Sequence, residues 1–212
     1  MLTHRFSAAK VPVQTRDEPA LVLLVSPKLH PWHDSAGNGA ATESLLIITG
    51  TMGAGKTTVL GEMSDILALR HIPHAAIDLD ALGLAYLPSA ASNEDVMYGN
   101  LRSVCKNYAF HGAKRFLVAR AIEDRAELEM CRRIIPATNT MVCRLTADIE
   151  TMQQRVKMRE LGRSQREYVA RVAELDGILD RARLEDFTIS SENRSPADVA
   201  REALARAGWI SD

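Results

Sequence analysis

Gly50, Gly55, Lys56 and Thr57 stand at the spacing G-x-x-x-x-G-K-[ST], and that spacing serves one kind of chemistry. Glycines let a backbone curl so that successive N–H groups point inward at phosphate oxygens. A helix starting just behind them presents its positive end to the same anion. In such a loop Lys56 reaches the β- and γ-phosphates of a nucleoside triphosphate, and the Thr57 hydroxyl ligates Mg²⁺. The expected nucleotide-binding residues are therefore Gly50, Thr51, Met52, Gly53, Ala54, Gly55, Lys56, Thr57 and Thr58, and the expected ligands are ATP and Mg²⁺. The plain alternative is a glycine turn between a strand and a helix.

Three further groups could complete a phosphoryl transfer, which needs positioning, charge neutralisation and a base near the acceptor hydroxyl. Asp78 and Asp80 end a short apolar run. Acids at i and i+2 share one side of a strand or splay around its end. Asp78 is the candidate for the Mg²⁺ water shell or for the base, and Asp80 for holding the acceptor; either could instead cap a turn. Arg155 and Arg159 are an i,i+4 pair in a basic tract. Like charges at that spacing repel mildly, and a phosphate between them would offset the cost. Asn100 and Arg102 lie on a helix expected to roof the acceptor site, or else form its exposed polar face. The six histidines show no metal-ligand spacing.

The elements that would position these residues alternate. Leu45–Ile48 is a first strand, and Val59, Leu60, Met63, Ile66 and Leu67 mark a helix running to about Arg70, before Pro73. Ala75–Asp80 reads as a second strand and residues 81–92 as a loop. Asn93 is the expected N-cap of a helix carrying Met97, Leu101, Val104 and Tyr108. Arg115–Ala119 is a third strand, Asp124–Arg133 a short helix, and Thr140–Leu145 a fourth strand. A long helical tract follows, with Ile149, Met152 and Val156, then Tyr168, Val172, Leu175 and Leu179, as its apolar face. Asp186–Ser190 is a fifth strand. Ser195-Pro196-Ala197-Asp198 starts a last helix. This pattern implies an α/β sandwich of three layers around a five-stranded parallel sheet.

Composition narrows the class. The 212 residues carry a net charge of −1, with 46% apolar and 25% charged residues, which gives no sign of nucleic-acid or membrane affinity. No apolar run approaches the roughly 20 residues of a membrane span. Cys105, Cys131 and Cys143 are odd in number and lack C-x-x-C spacing, so they read as core residues of a reducing, cytoplasmic compartment. Residues 1–44 differ from the rest: they hold four of the eight prolines and one apolar run, Leu21–Val25. They read as a poorly ordered extension, or a regulatory arm, before a domain over 45–212.

The layout resembles the P-loop small-molecule kinases, among them the adenylylsulfate, gluconate, shikimate and nucleoside kinases, over about residues 45–208. Asp78-Leu79-Asp80 resembles their acidic segment after the second strand. Tyr98-Gly99-Asn100-Leu101-Arg102 resembles the N-[IL]-R segment of adenylylsulfate kinases, which implies substrate contact by Asn100 and Arg102. Asp124-Arg125 lies near that family's Arg-rich loop. The resemblance implies a nucleoside-kinase-like P-loop fold with a helical lid at about 147–182, from which Arg155 and Arg159 serve the transferring phosphoryl group, and an adenine site near Ser190–Arg194. It implies an ATP-dependent kinase for a hydroxyl of a small molecule. Two departures stand out: no Arg shortly follows the second-strand acid, and the third strand ends in Ala119-Arg120 without the usual acid. The other reading kept open is a nucleotide-binding switch or weak ATPase acting through a partner protein.

Overall fold

The computed structural model describes residues 42–86, 92–159 and 163–211. Nearly all of the 1–44 extension, with Leu21–Val25, lies outside the described residues, as does the Leu87–Ala91 part of the expected loop. Five strands, β1 (Ser44–Thr49), β2 (His74–Asp78), β3 (Arg115–Ala119), β4 (Asn139–Thr146) and β5 (Phe187–Ser190), form one parallel sheet in the order β2-β3-β1-β4-β5. β1 sits in the middle, paired with β3 on one side and β4 on the other. The chain leaves β1 towards β2 and crosses after β3 to β4. The loop after β1 is thus at the switch point, where ligands of open α/β sheets bind.

Seven helices among the described residues connect and cover the strands: α1 (Lys56–Leu69), α2 (Leu79–Leu82), α3 (Asn93–Phe110), α4 (Arg125–Ile134), α5 (Ile149–Arg159), α6 (Arg163–Ala182) and α7 (Pro196–Arg206). β1 shows why the sheet must be covered twice. Leu46 and Ile48 enter a core with Met63 and Leu67 of α1, Met152 and Val156 of α5, Val172 of α6 and Leu204 of α7. Leu45 and Ile47 enter the opposite core with Met97 and Leu101 of α3 and with Leu128 and Cys131 of α4. Alternate strand residues feed opposite layers, so a strand buried on both faces is apolar throughout.

Local chemistry sets the boundaries and corrects three expectations. β2 stops at Asp78, because its Oδ1 accepts from the Asp80 N–H at 3.2 Å and caps the turn α2. Asp78 and Asp80 are therefore not two residues of one strand. Ser92, not Asn93, caps α3, in a reciprocal box with Asp95. Tyr108, Ile149 and Tyr168 are 42%, 41% and 42% exposed, so the buried faces are carried by Met97 and Leu101 in α3, Met152 and Val156 in α5, and Val172, Leu175 and Leu179 in α6. Ser195, Pro196 and Asp198 start α7 as the sequence implied.

The long basic tract is two helices packed on each other and on the sheet. The second half of α6 is tied down by Arg144 of β4, whose side chain is 5% exposed and meets Asp180 at 2.7 Å, Asp176 at 2.9 Å and Glu185 at 3.8 Å. Removing the arginine would leave the carboxylates without their cation, the costly way to break a buried ion pair.

Candidate active site

The loop between β1 and α1 is shaped by contacts that leave no room for side chains. Gly50 has φ 140° and Gly53 φ 83°, where L side chains are strained. A Cβ on Gly50 would stand 2.5 Å from the Leu145 carbonyl of β4, and one on Gly53 would press into the Met152 carbonyl of α5. Ala54 and Thr51 are buried in the loop, and the Thr51 hydroxyl donates to the Val172 carbonyl of α6 at 3.3 Å. The loop is thus held from β4, α5 and α6 together.

Lys56 opens α1 and folds back over the loop. Its Nζ donates to the carbonyls of Gly50 at 2.8 Å and Thr51 at 3.2 Å. Burial pulls its pKa down from 10.5 to about 8, with Asp80 and Asp78 opposing that shift and Arg159 and Arg120 adding to it. The ammonium is thus poorly solvated and ready to exchange two carbonyls for phosphate oxygens. One residue on, the Thr57 hydroxyl donates to Asp78 Oδ2 at 2.7 Å. A hydroxyl and a carboxylate in contact beside a phosphate loop are the oxygen donor set that suits Mg²⁺, which takes few protein ligands and completes its shell with phosphate and water. Both Asp78 oxygens are engaged, one by Thr57 and one by the α2 cap. Thr58 is exposed on the first turn of α1.

The arginine pair divides. Arg155 Nη1 donates to the Gly53 carbonyl at 3.1 Å and to Ser191 Oγ at 3.0 Å, and its Nη2 donates to the Ser191 carbonyl at 3.2 Å. It clamps the phosphate loop to the segment after β5. Beside it Glu192 accepts from Thr151 Oγ1 at 3.0 Å and from the Asp148 N–H at 3.2 Å. Arg159, a turn further along α5, is exposed, and its charge is felt at Lys56. Arg171 of α6 meets Glu123, in the loop between β3 and α4, at 2.9 Å and Glu174 at 2.6 Å.

The acceptor-side residues fare differently. Asp80 Oδ1 accepts from Arg120 Nη1 at 2.6 Å. Asn100 Nδ2 donates to the Leu82 carbonyl at 2.9 Å and so fastens α3 to α2. Arg102 is exposed on α3. The structure thus brings Lys56, Thr57, Asp78 and Asp80 to one edge with Arg155 and Arg159 beside the loop; Asn100 holds the same α2 turn that carries Asp80, and Arg102 is exposed on α3. The sequence reading missed Arg120, Glu127, Glu94 and Tyr98. Arg120 Nη2 reaches Glu127 Oε1 at 3.3 Å and Glu94 Oε1 at 3.7 Å. Glu127 Oε2 accepts from the Glu123 N–H at 2.7 Å, and burial raises the Glu127 pKa. Among the described residues the Tyr98 hydroxyl is buried without a hydrogen-bond partner, next to Glu127, Arg120 and Glu94, and burial raises its pKa. The one readable signal was a cation ending the apolar strand Phe116-Leu117-Val118-Ala119.

This fold and loop define the class: a parallel α/β P-loop domain with the strand order and flanking helices described. No protein-family model and no curated protein matches the chain in sequence. Solved structures match its fold. The APS kinase of Mycobacterium tuberculosis, in complex with AMPPNP and APS, is similar with a TM-score of 0.54 at 17% identity, over 79% of this chain and 99% of that one. A shikimate kinase from Acinetobacter baumannii, in complex with shikimate, gives 0.52 at 17% identity, over 82% and 97%. The tunicamycin resistance protein of Deinococcus radiodurans gives 0.55 at 14% identity, over 79% and 97%. The chain therefore has the fold of the P-loop small-molecule kinases. Among the described residues no helix is long and apolar enough to cross a membrane.

Proposed function

We propose that this protein is an ATP-dependent phosphotransferase that moves the γ-phosphoryl group of ATP to a hydroxyl of a small molecule. The observation that carries the reading is the Thr57–Asp78 contact at 2.7 Å beside a glycine loop whose lysine is desolvated. A plain glycine turn between strand and helix requires neither feature. Thr57 and Asp78 would hold Mg²⁺, which when bound neutralises charge on the phosphates. The loop N–H groups and Lys56 fix the triphosphate, and Arg155 orders the segment on which the base of the nucleotide would rest. Arg159 adds positive charge where negative charge gathers in the transition state.

With both Asp78 oxygens engaged, Asp80 is left as the carboxylate on the acceptor side. In transfer the acceptor oxygen bonds to the γ-phosphorus, the bond from that phosphorus to the β–γ bridging oxygen breaks, ADP leaves, and the hydroxyl proton passes to Asp80. The test is a metabolite panel incubated with MgATP and read by mass. The expected result is a compound gaining one phosphate, with ADP release rising above its basal rate. ADP release that no small hydroxyl compound stimulates, but a protein partner does, would favour the nucleotide switch instead.

A further inference from the structure

Resting on this kinase reading, the Arg120 cluster points to the class of acceptor. β3 delivers Arg120 to the sheet edge next to β1, with its side chain 19% exposed. Its two terminal nitrogens are taken by Asp80 of α2, Glu127 of α4 and Glu94 of α3. Solvent meets the carboxylates rather than the cation, since the side chains of Asp80 and Glu94 are 59% and 66% exposed. Three carboxylates stand against one guanidinium, and Arg159, whose charge acts on Lys56, lies on the side of the glycine loop. Lys56 sits over the phosphate loop. Arg102 follows Glu94 by two turns of α3, about 12 Å along the helix axis. Arg125 lines a groove of about 360 Å³ against α6, with Ile178 and Arg181.

An acceptor carrying a carboxylate, sulfate or phosphate would have to lie against exposed like charge, while both terminal nitrogens of Arg120 are already turned to carboxylates. A hydroxyl or an ammonium donates hydrogen bonds into the same oxygens. We infer that Arg120 is a specificity-determining residue: by holding Asp80 and Glu94 as a wall of hydrogen-bond acceptors, it makes the acceptor an uncharged or cationic alcohol, a polyol or an amino alcohol, and excludes anions.

The experiment measures the local potential on the MgADP-loaded full chain. Backbone amide relaxation is recorded with a cationic and an anionic nitroxide co-solute of matched size. Amides of Asp80, Leu82, Glu94 and Tyr98 should relax at least twofold more with the cationic probe. The Asp80→Asn/Glu94→Gln double variant should bring that ratio to one or below by uncovering Arg120. Arg120→Gln should raise the ratio by removing a positive charge while MgADP affinity stays within about twofold, and it should raise the KM of an active acceptor at least threefold more than it lowers kcat, a split a merely structural arginine would not give. Hydroxyl compounds that stimulate ADP release should all be uncharged or cationic. Equal or greater relaxation by the anionic probe, or turnover of an anionic acceptor whose KM rises in Arg120→Gln, overturns the inference while leaving the kinase reading intact. Failure of the wild-type chain to bind MgADP overturns both.

Discussion

The two halves of the site are built from different materials. The proposed nucleotide half is local: one loop, the first turn of a helix and the end of one strand, shaped by positive-φ glycines and backbone carbonyls. The acceptor half is assembled across distance, with Asp80, Glu94, Arg120 and Glu127 arriving from four elements to meet at one guanidinium. A backbone cradle binds any polyphosphate and tolerates little change. A side-chain network can be rewritten residue by residue, and it is where one such fold would differ from another in what it phosphorylates.

Substitutions should separate the halves by size of effect. Lys56→Ala should lower ATP turnover on the order of 10²–10³-fold or more, because this ammonium is the loop's only side chain placed for the phosphates; steady-state ADP release reads it. Gly53→Ala should destabilise the chain by about 1–3 kcal/mol, since the new Cβ meets backbone at a strained φ. Urea melts should show this together with weaker MgATP binding, and an unchanged midpoint would mean the loop is looser than described. Arg159→Ala should cut kcat about ten-fold or more, near 1.4 kcal/mol, with nucleotide affinity kept. Arg155→Ala should also weaken nucleotide binding, because it orders Gly53 and Ser191 from one side chain. Lysine at either position should rescue only in part. Equal losses of kcat and of affinity in both variants would erase the distinction drawn between them. The smallest effect belongs to Arg171→Ala, whose half-exposed pair with Glu123 is worth about 0.2–1 kcal/mol. A double-mutant cycle with Glu123→Gln measures it, and a kcat loss matching that of Arg159→Ala would move the lid contact onto α6.

The same contrast explains what could be read in advance. The strands, the helix order and the glycine loop were legible, because each rests on spacing within a dozen residues: the unbroken apolar run of β1, the i,i+3/i+4 pattern of α1, the glycines at 50 and 55. The Thr57–Asp78 contact is less legible: both residues read as candidate Mg²⁺ ligands, but their meeting depends on where the sheet order brings the end of β2. Asp80 was placed in a strand because its i+2 relation to Asp78 is ambiguous until one knows that Asp78 caps a helical turn. Arg120 was noticed only as the lack of an acid, because nothing local announces that residues 26 positions before it and seven after it will converge on it. Tyr168 fits the helical period of α6, yet it stands 42% exposed while Val169 and Val172 take that turn's contacts with the core.

The central claim is that Lys56, desolvated over the loop, is the group that takes the triphosphate. Burial lowers its pKa to about 8, so at pH 8.5 a large share of the chains carries it neutral. Phosphate charge favours the ammonium, so binding should draw a proton in. Titration calorimetry of MgATP at pH 8.5, in two buffers of different ionisation enthalpy, measures that uptake. The account expects more than half a proton per site, falling towards zero at pH 6.5 and absent in Lys56→Ala, which should also bind MgATP more weakly. Binding enthalpies that are the same in both buffers, together with unchanged affinity in Lys56→Ala, would contradict it.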